Sequence, residues 1–319
     1  MHHGQHGGMW VPSQSPTWAR TFLIHLDGWS VLAVLSGVMV VAYLFAVLQL
    51  WRSGVRWPGW RTACWVAGAI SLFAVTGTWL NGYSMVLFSV HMTQHMVLSF
   101  VTPMFLLLGA PMTLALRVLP RGQGTAGVPR ALLLEALHSR FARVIAHPFF
   151  TVPLFLASLY GIYFTPLFDI LMRSPGGHQL MLAHFLVTGL LFFGPIIAQD
   201  PWPRTLSHPG RLLELFLPVP FHAFFGVAIM MADSLVVQTF AAPPASWGID
   251  AITDQGVAGG IIWGFGELPT VLVLAVVFIS WAGSDDRHAR AIDRAADRND
   301  DAERRAYNAH LRALAERGN

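Results

Sequence analysis

The run His91-Met92-Thr93-Gln94-His95-Met96 sets two imidazoles four residues apart inside an otherwise apolar stretch. On a helix, four residues turn the chain by about 400°, so the two rings share one face about 6 Å apart and can reach one metal ion. Met92 and Met96 fall on the adjacent stripe. Ionisable side chains inside an apolar span are costly and are functional candidates by default. For any one of them taken singly, a buried hydrogen-bonded packing role competes with ligation.

Further along, His178, Met181 and His184 step by three. Depth counting puts His178 at the membrane surface and His184 about two turns below it, at a rise of about 1.5 Å per residue. His222 sits near the middle of a later stretch, which ends in Met230, Met231 and Asp233, and Glu267 lies near the midplane within Gly264-Phe265-Gly266-Glu267-Leu268-Pro269. Cys64 is the only cysteine, so one chain offers neither a disulfide nor a thiolate metal site. Imidazole with thioether suits copper, Met favouring Cu(I). Zinc would accept the histidines and carboxylates but gains nothing from Met. Heme needs a histidine on each of two facing helices, which His95 and His184 could supply. Copper is the preferred cofactor and heme the alternative.

The amino-terminal run Met1-His2-His3-Gly4-Gln5-His6-Gly7-Gly8-Met9 is a candidate accessory site. A histidine at the third position can bind Cu(II) with the terminal amine and backbone amides, and His2 and His6 flank it; the alternative is a fortuitously His-rich end. No Walker loop, GxSxG elbow or HExxH motif is present, so nucleotide-driven transport and common hydrolase chemistry lack support and the chain reads as a non-enzyme.

The elements that must position these groups are membrane spans. The 319 residues are 54% hydrophobic and 12% charged, with mean hydropathy +0.53, against about 25% charged in a soluble domain. Apolar stretches at residues 29–50, 62–80, 86–108, 149–168, 179–198, 212–233 and 258–282 fit the roughly 20 residues a span needs. All twenty basic residues are arginine. Eighteen fall in alternate connections and the tail, leaving Arg20 and Arg173 on the other side, and the positive-inside rule assigns the eighteen to the cytoplasm. The expected fold is an all-α integral membrane protein, a seven-transmembrane helix bundle with its N-terminus outside and C-terminus in the cytoplasm. Charge spread over loops in this way, net +3, does not point to nucleic acid.

Residues 1–28 read as an extracytoplasmic His/Met-containing segment without the apolar core of a cleavable signal peptide. Residues 29–283 are the transmembrane domain, and 284–319 a charged cytoplasmic tail. In the tail Arg290, Arg294 and Arg298 interleave with Asp293, Asp297 and Asp301, as on a solvated helix; a docking helix is the alternative. Within the longest connection, 109–148, residues 129–145 could form a helix along the membrane surface, with a plain cytoplasmic helix as the alternative. Pro103, Pro153, Pro195, Pro218, Pro220 and Pro269 predict kinks where helices pack or line a cavity. His147-Pro148, Asp200-Pro201 and His208-Pro209 read as structural turns, with Asp200 expected to pair with an arginine of the inner loops.

These residues resemble the seven-transmembrane caa-type cytochrome c oxidase assembly factors, the CtaG-type family. The resemblance is carried by His91-Met92-Thr93-Gln94-His95-Met96, Leu106-Leu107-Leu108-Gly109-Ala110-Pro111, His147-Pro148, His184 with Gly194-Pro195, Asp200-Pro201, His222, Asp233, Asp254-Gln255, Gly259-Gly260, Trp263 and Gly266-Glu267-Leu268-Pro269, across most of residues 25–282. It implies a multi-pass protein of the bacterial plasma membrane that helps mature a heme–copper oxidase by handling copper. Oxidase subunits, the lipid bilayer and a soluble extracytoplasmic copper chaperone are the expected partners. His91, His95, His184, His222, Asp233 and Glu267 carry over as candidate ligands or their supports, with Met92 and Met96 from the same motif. Two other classes stay open, a heme-binding membrane cytochrome and a copper transporter, the latter motivated by Glu267 and the kinked helices.

Overall fold

The structure, a computed structural model, describes residues 10–25, 30–122, 125–197, 199–204 and 206–265, some positions between 271 and 294, and 302–317. Among these the regular structure is helical, apart from one isolated antiparallel bridge between Ile24 and Thr78. Residues up to Val273 form one compact unit, and those from Leu274 a second.

Seven elements organise the first unit. They are α1 (Val31–Arg52), α2 (Gly59–Thr76), α3 (Phe88–Met96, a π-helical turn Val97–Val101, then Thr102–Leu108), α4 (Pro148–Tyr163), α5 (Pro175–Ile197), α6 (Val219–Met230) and α7 (residues 251–265). Among the described residues, four stretches are long and apolar enough to cross a membrane: Val31–Arg52, Phe88–Val118, Pro175–Ile197 and Pro209–Met230. α4 is a shorter apolar helix. α2 carries Trp60 and Arg61 in its first turn, and α7 is described as far as residue 265.

The packing order follows from which faces carry small residues. α2 packs along both α1 and the second half of α3, while α5 packs on α4 and on the π turn and second half of α3. α5 is the central element, with Leu182, Phe185, Phe193 and Ile196 fully buried. It approaches α3 closely because Gly189 lies against the Ser99 carbonyl and Pro103, where a Cβ would collide with backbone. Pro103 also accounts for the π turn. It brings no N–H for the Ser99 carbonyl and its ring crowds that oxygen, so the helix accommodates an extra residue there. A second close crossing joins α6 and α7: a Cβ on Gly226 would meet the Trp263 nitrogen at 2.9 Å, and one on Gly259 the Met230 nitrogen at 2.5 Å. Small residues that let backbones approach are what helix pairing in lipid relies on.

Carboxylates supplied from distant segments finish several helix starts. Ala110, in the left-handed region at φ 50°, breaks the chain after α3, and Pro111–Val118 begins at once. Asp200 accepts the Met112 and Thr113 amides at 3.1 and 2.7 Å and the Thr113 hydroxyl at 2.6 Å. The expected Asp200–arginine pair is therefore replaced by a cap, because exposed helix N–H groups and the positive end of the helix dipole draw the carboxylate. Asp254 of α7 accepts the Phe88 amide at 2.6 Å and the Ser89 amide at 3.3 Å, and takes the Ser89 hydroxyl on its other oxygen. Asp169 likewise accepts the amide and hydroxyl of Thr239.

Other expectations resolve locally. His147 caps α4, its Nδ1 accepting the Phe149 amide at 3.2 Å, and Ser207 caps the helix at His208-Pro209, so these His-Pro pairs are structural. The helix expected over 129–145 is two helices, Val128–His138 and Arg140–Ile145. They divide at Ser139, whose hydroxyl accepts the Ala142 amide and starts the second. Residues 10–25 pack onto the turn before α3, with Trp10 stacked on His25 at 3.7 Å and edge-on to Trp79 at 5.3 Å. The second unit contains the helix Ala302–Arg317. The interleaved tail pairs of residues 290–301 and the His-rich residues 1–9 lie outside the described residues, apart from Arg294.

Candidate metal centre

The first half of α3 is polar on two sides, and each side is answered by a different neighbour. Gln94 turns toward α2, its Nε2 donating to the Val75 carbonyl at 2.6 Å and to Asn81 Oδ1 at 2.9 Å. His91 and His95 turn toward α4 and α5, where both contact a single hydroxyl. His91 Nε2 lies 3.0 Å from Tyr163 Oη and His95 Nδ1 lies 2.9 Å from it. A phenol donates one proton, so one imidazole accepts from Tyr163 while the other donates an N–H to it.

The surroundings are dry and aromatic. Phe185 stacks on His95 with centroids 3.8 Å apart, and Phe168 meets His91 edge-on at 4.9 Å. His178, one helix turn above Met181 on α5, faces His91 with ring centroids 6.4 Å apart. It is 2% exposed, so at the end of α5 where depth counting put it, it is enclosed by protein. The segment Leu167–Leu171 and the residues around Phe240 fold over this end of the bundle and bury it. His91 Nδ1 and His178 Nε2 are both buried and make no hydrogen bond of good geometry, with the Ser84 backbone lying beside the His91 ring. Buried polar atoms are nearly always paired, which makes these two nitrogens on adjacent imidazoles candidate ligands.

The remaining sequence candidates distribute as follows. Met92 and Met96 are fully buried in the core. His184 is half-buried and bonds the Ser158 hydroxyl through Nε2 at 2.8 Å, with the Phe185 ring 6.0 Å away. His222 is buried, edge-on to Phe100 at 5.4 Å, with Nε2 unpartnered. Asp233 is exposed beyond the end of α6. Glu267 and His2, His3 and His6 lie outside the described residues. Among the described residues no three His, Cys, Asp or Glu side chains gather as a metal cage. The arrangement is a pair of open imidazole nitrogens backed by a Tyr163–His95 hydrogen bond.

Two residues central to this arrangement escape sequence reasoning. Tyr163 carries a signal that could have been read, a phenol at the end of an apolar helix whose hydroxyl needs a buried partner. His178 was hidden by depth counting, which has no knowledge of the chain that folds over a helix end.

A model of the cytochrome c oxidase caa3 assembly factors matches residues 41–284. Uncharacterized proteins of Mycobacterium bovis and Mycobacterium tuberculosis are each 42% identical over 306 residues, and one of Mycobacterium leprae is 37% identical over the same length. The alignments cover 95% of this chain and 46% of each relative, so the chain spans about half the length of the curated relatives it matches. No solved structure matches the chain.

Proposed function

The chain belongs to the cytochrome c oxidase caa3 assembly factors, and from that premise we propose that it binds copper as cargo between His91 and His178 and hands it to the oxidase. The observation that carries this reading is the pair of buried nitrogens without a hydrogen bond of good geometry, His91 Nδ1 and His178 Nε2, on rings 6.4 Å apart. Two imidazole nitrogens each about 2 Å from a shared ion put their ring centroids at about that separation. A two-nitrogen site suits monovalent copper, whereas zinc wants four ligands. Tyr163 and His95 then act behind the ligands, as hydrogen-bonded supports do in metal sites. With few ligands and no thiolate, the ion leaves by ligand exchange with an incoming donor.

In this reading the protein is a seven-span membrane protein of the bacterial plasma membrane with its N-terminus outside, as the distribution of arginines supports. The His91–His178 end then faces outward, and His2, His3 and His6 would collect copper there. Heme held by His95 and His184 needs a gap between the rings, but Phe185 stacks on His95 and His184 is taken by Ser158. Copper is favoured for that reason.

The test is copper analysis of the purified chain loaded under reducing conditions. Wild type is expected to retain about one Cu(I), and His91→Ala and His178→Ala to lose it while keeping the helical circular-dichroism signal. Full copper retention in both variants, or oxidase maturation that proceeds normally with both, sinks the proposal.

A further inference from the structure

At the end of α3 away from His91, arginines from separate stretches of chain gather around one tryptophan. Trp57, in the connection between α1 and α2, is 5% exposed. Its Nε1 donates to Tyr43 Oη at 3.0 Å, and that hydroxyl donates to the Gly109 carbonyl at 2.7 Å. The indole is therefore fixed between α1 and the end of α3. Arg61 of α2 lies over its ring at 5.1 Å and over the Trp60 ring at 5.4 Å. Arg117, from the helix Pro111–Val118, lies over the same Trp57 at 5.5 Å. Arg130, from the helix Val128–His138, donates through Nε to the Leu116 carbonyl at 3.4 Å, which brings it to the residue beside Arg117.

This charge is left unbalanced. Among the described residues Arg61, Arg117 and Arg130 make no ion pair. An indole face attracts a guanidinium but leaves its in-plane N–H donors unmet, and Arg61 Nε is buried without a hydrogen-bond partner. The carboxyl end of Pro111–Val118 supplies about half a negative charge, well short of three guanidiniums. Asp200 is engaged at the other end of that helix, on the Met112 and Thr113 amides. Glu135 follows Arg130 by five residues, which turns it about 140° round the helix.

We propose that Arg61, Arg117 and Arg130 bind the phosphate of an anionic phospholipid headgroup. Guanidinium forks match phosphate oxygens, and basic pockets between helices at a membrane edge hold such headgroups. The surroundings favour a lipid over a free anion. Trp60, Val128 and Leu132 are exposed apolar side chains on the same segments that carry Arg61 and Arg130, so a ligand with a charged head and acyl chains meets both kinds of surface. Tryptophan is the side chain that settles at headgroup level, with an apolar ring and a polar edge. A bound headgroup would tie α2 to the connection that follows α3. The site shares no residue with the His91–His178 pair, so it stands apart from copper.

The experiment is native mass spectrometry of the full chain released from detergent micelles and titrated with phosphatidylglycerol or with phosphatidylcholine. Wild type is expected to hold phosphatidylglycerol about tenfold more tightly, the effect of one good charge-assisted contact. Arg61→Gln/Arg117→Gln should lose that preference. Arg140→Gln/Arg143→Gln, which removes the same charge from the neighbouring helix Arg140–Ile145, should keep it. Arg117 is exposed, so Arg117→Gln alone carries the test should the double variant fail to fold, and it should weaken phosphatidylglycerol binding and not phosphatidylcholine binding. Equal retention of the two lipids by wild type, equal weakening in the two double variants, or displacement of phosphatidylglycerol by inorganic phosphate at equal concentration overturns the proposal.

Discussion

The Tyr163 hydroxyl stands 2.9 Å from Nδ1 of His95, and the same oxygen meets His91 Nε2 at 3.0 Å, so one phenol sets the ring orientation of both histidines. Tyr163→Phe keeps the ring packing and deletes only this oxygen. Leaving buried nitrogens unpaired costs about 1–3 kcal/mol, to be read as a lowered unfolding midpoint in detergent. Removing a hydrogen-bonded support of a metal site typically lowers affinity about 10–100-fold, so a Cu(I) competition titration should show a drop in that range. Unchanged affinity would remove Tyr163 from the site.

Asp254 closes the start of the helix that carries His91. Asp254→Ala should destabilise the bundle by about 0.5–2 kcal/mol, the usual cost of a lost helix cap. Hydrogen exchange of the Phe88 and Ser89 amides should accelerate selectively, while the distant Met112 and Thr113 amides stay protected by Asp200. Uniform acceleration across both helix starts would count against a local cap.

Gly189→Val places a branched side chain against the Ser99 carbonyl and Pro103. Because the contact is backbone, α5 and α3 must separate. Overpacking of this kind costs about 1–3 kcal/mol, measured as a lower melting temperature in detergent. Gly161→Ala on α4, where a Cβ meets nothing, should leave the melting temperature unchanged or slightly higher.

Asp250 gives a pH dependence whose sign is fixed. The Thr253 amide and hydroxyl hold its carboxyl below the ordinary carboxylate value. A group with a depressed folded-state pKa adds stability in full above the unfolded value of about 3.9. That contribution disappears as pH falls through the lower folded value. Protection of the Thr253 amide against hydrogen exchange should therefore hold through neutral pH and fall only in acid. Asp250→Asn should abolish that acid step.

The histidine pair was legible in the sequence because helical periodicity alone puts His91 and His95 on one face. Its partners were not. Depth along a span says how far a residue lies from an aqueous edge, and nothing about chain returning over that edge, so the enclosure of His178 by protein was not foreseen. Spacing also cannot say which neighbour a face meets. His184, expected to join His95, is instead taken by Ser158. Asp200 shows the same limit, since its charge predicted an arginine while three-dimensional packing delivered a helix start. Ser139 was readable in principle as a cap, but the continuous Leu/Ala/Arg pattern on either side of it concealed the break.

The cap on α3 reaches across 166 positions of sequence, from Asp254 back to Phe88. A chain synthesised from its amino terminus delivers His91 and His95 into the bilayer long before Asp254 leaves the ribosome. The helix that carries His91 and His95 therefore keeps its first turn open until α7 arrives to close it.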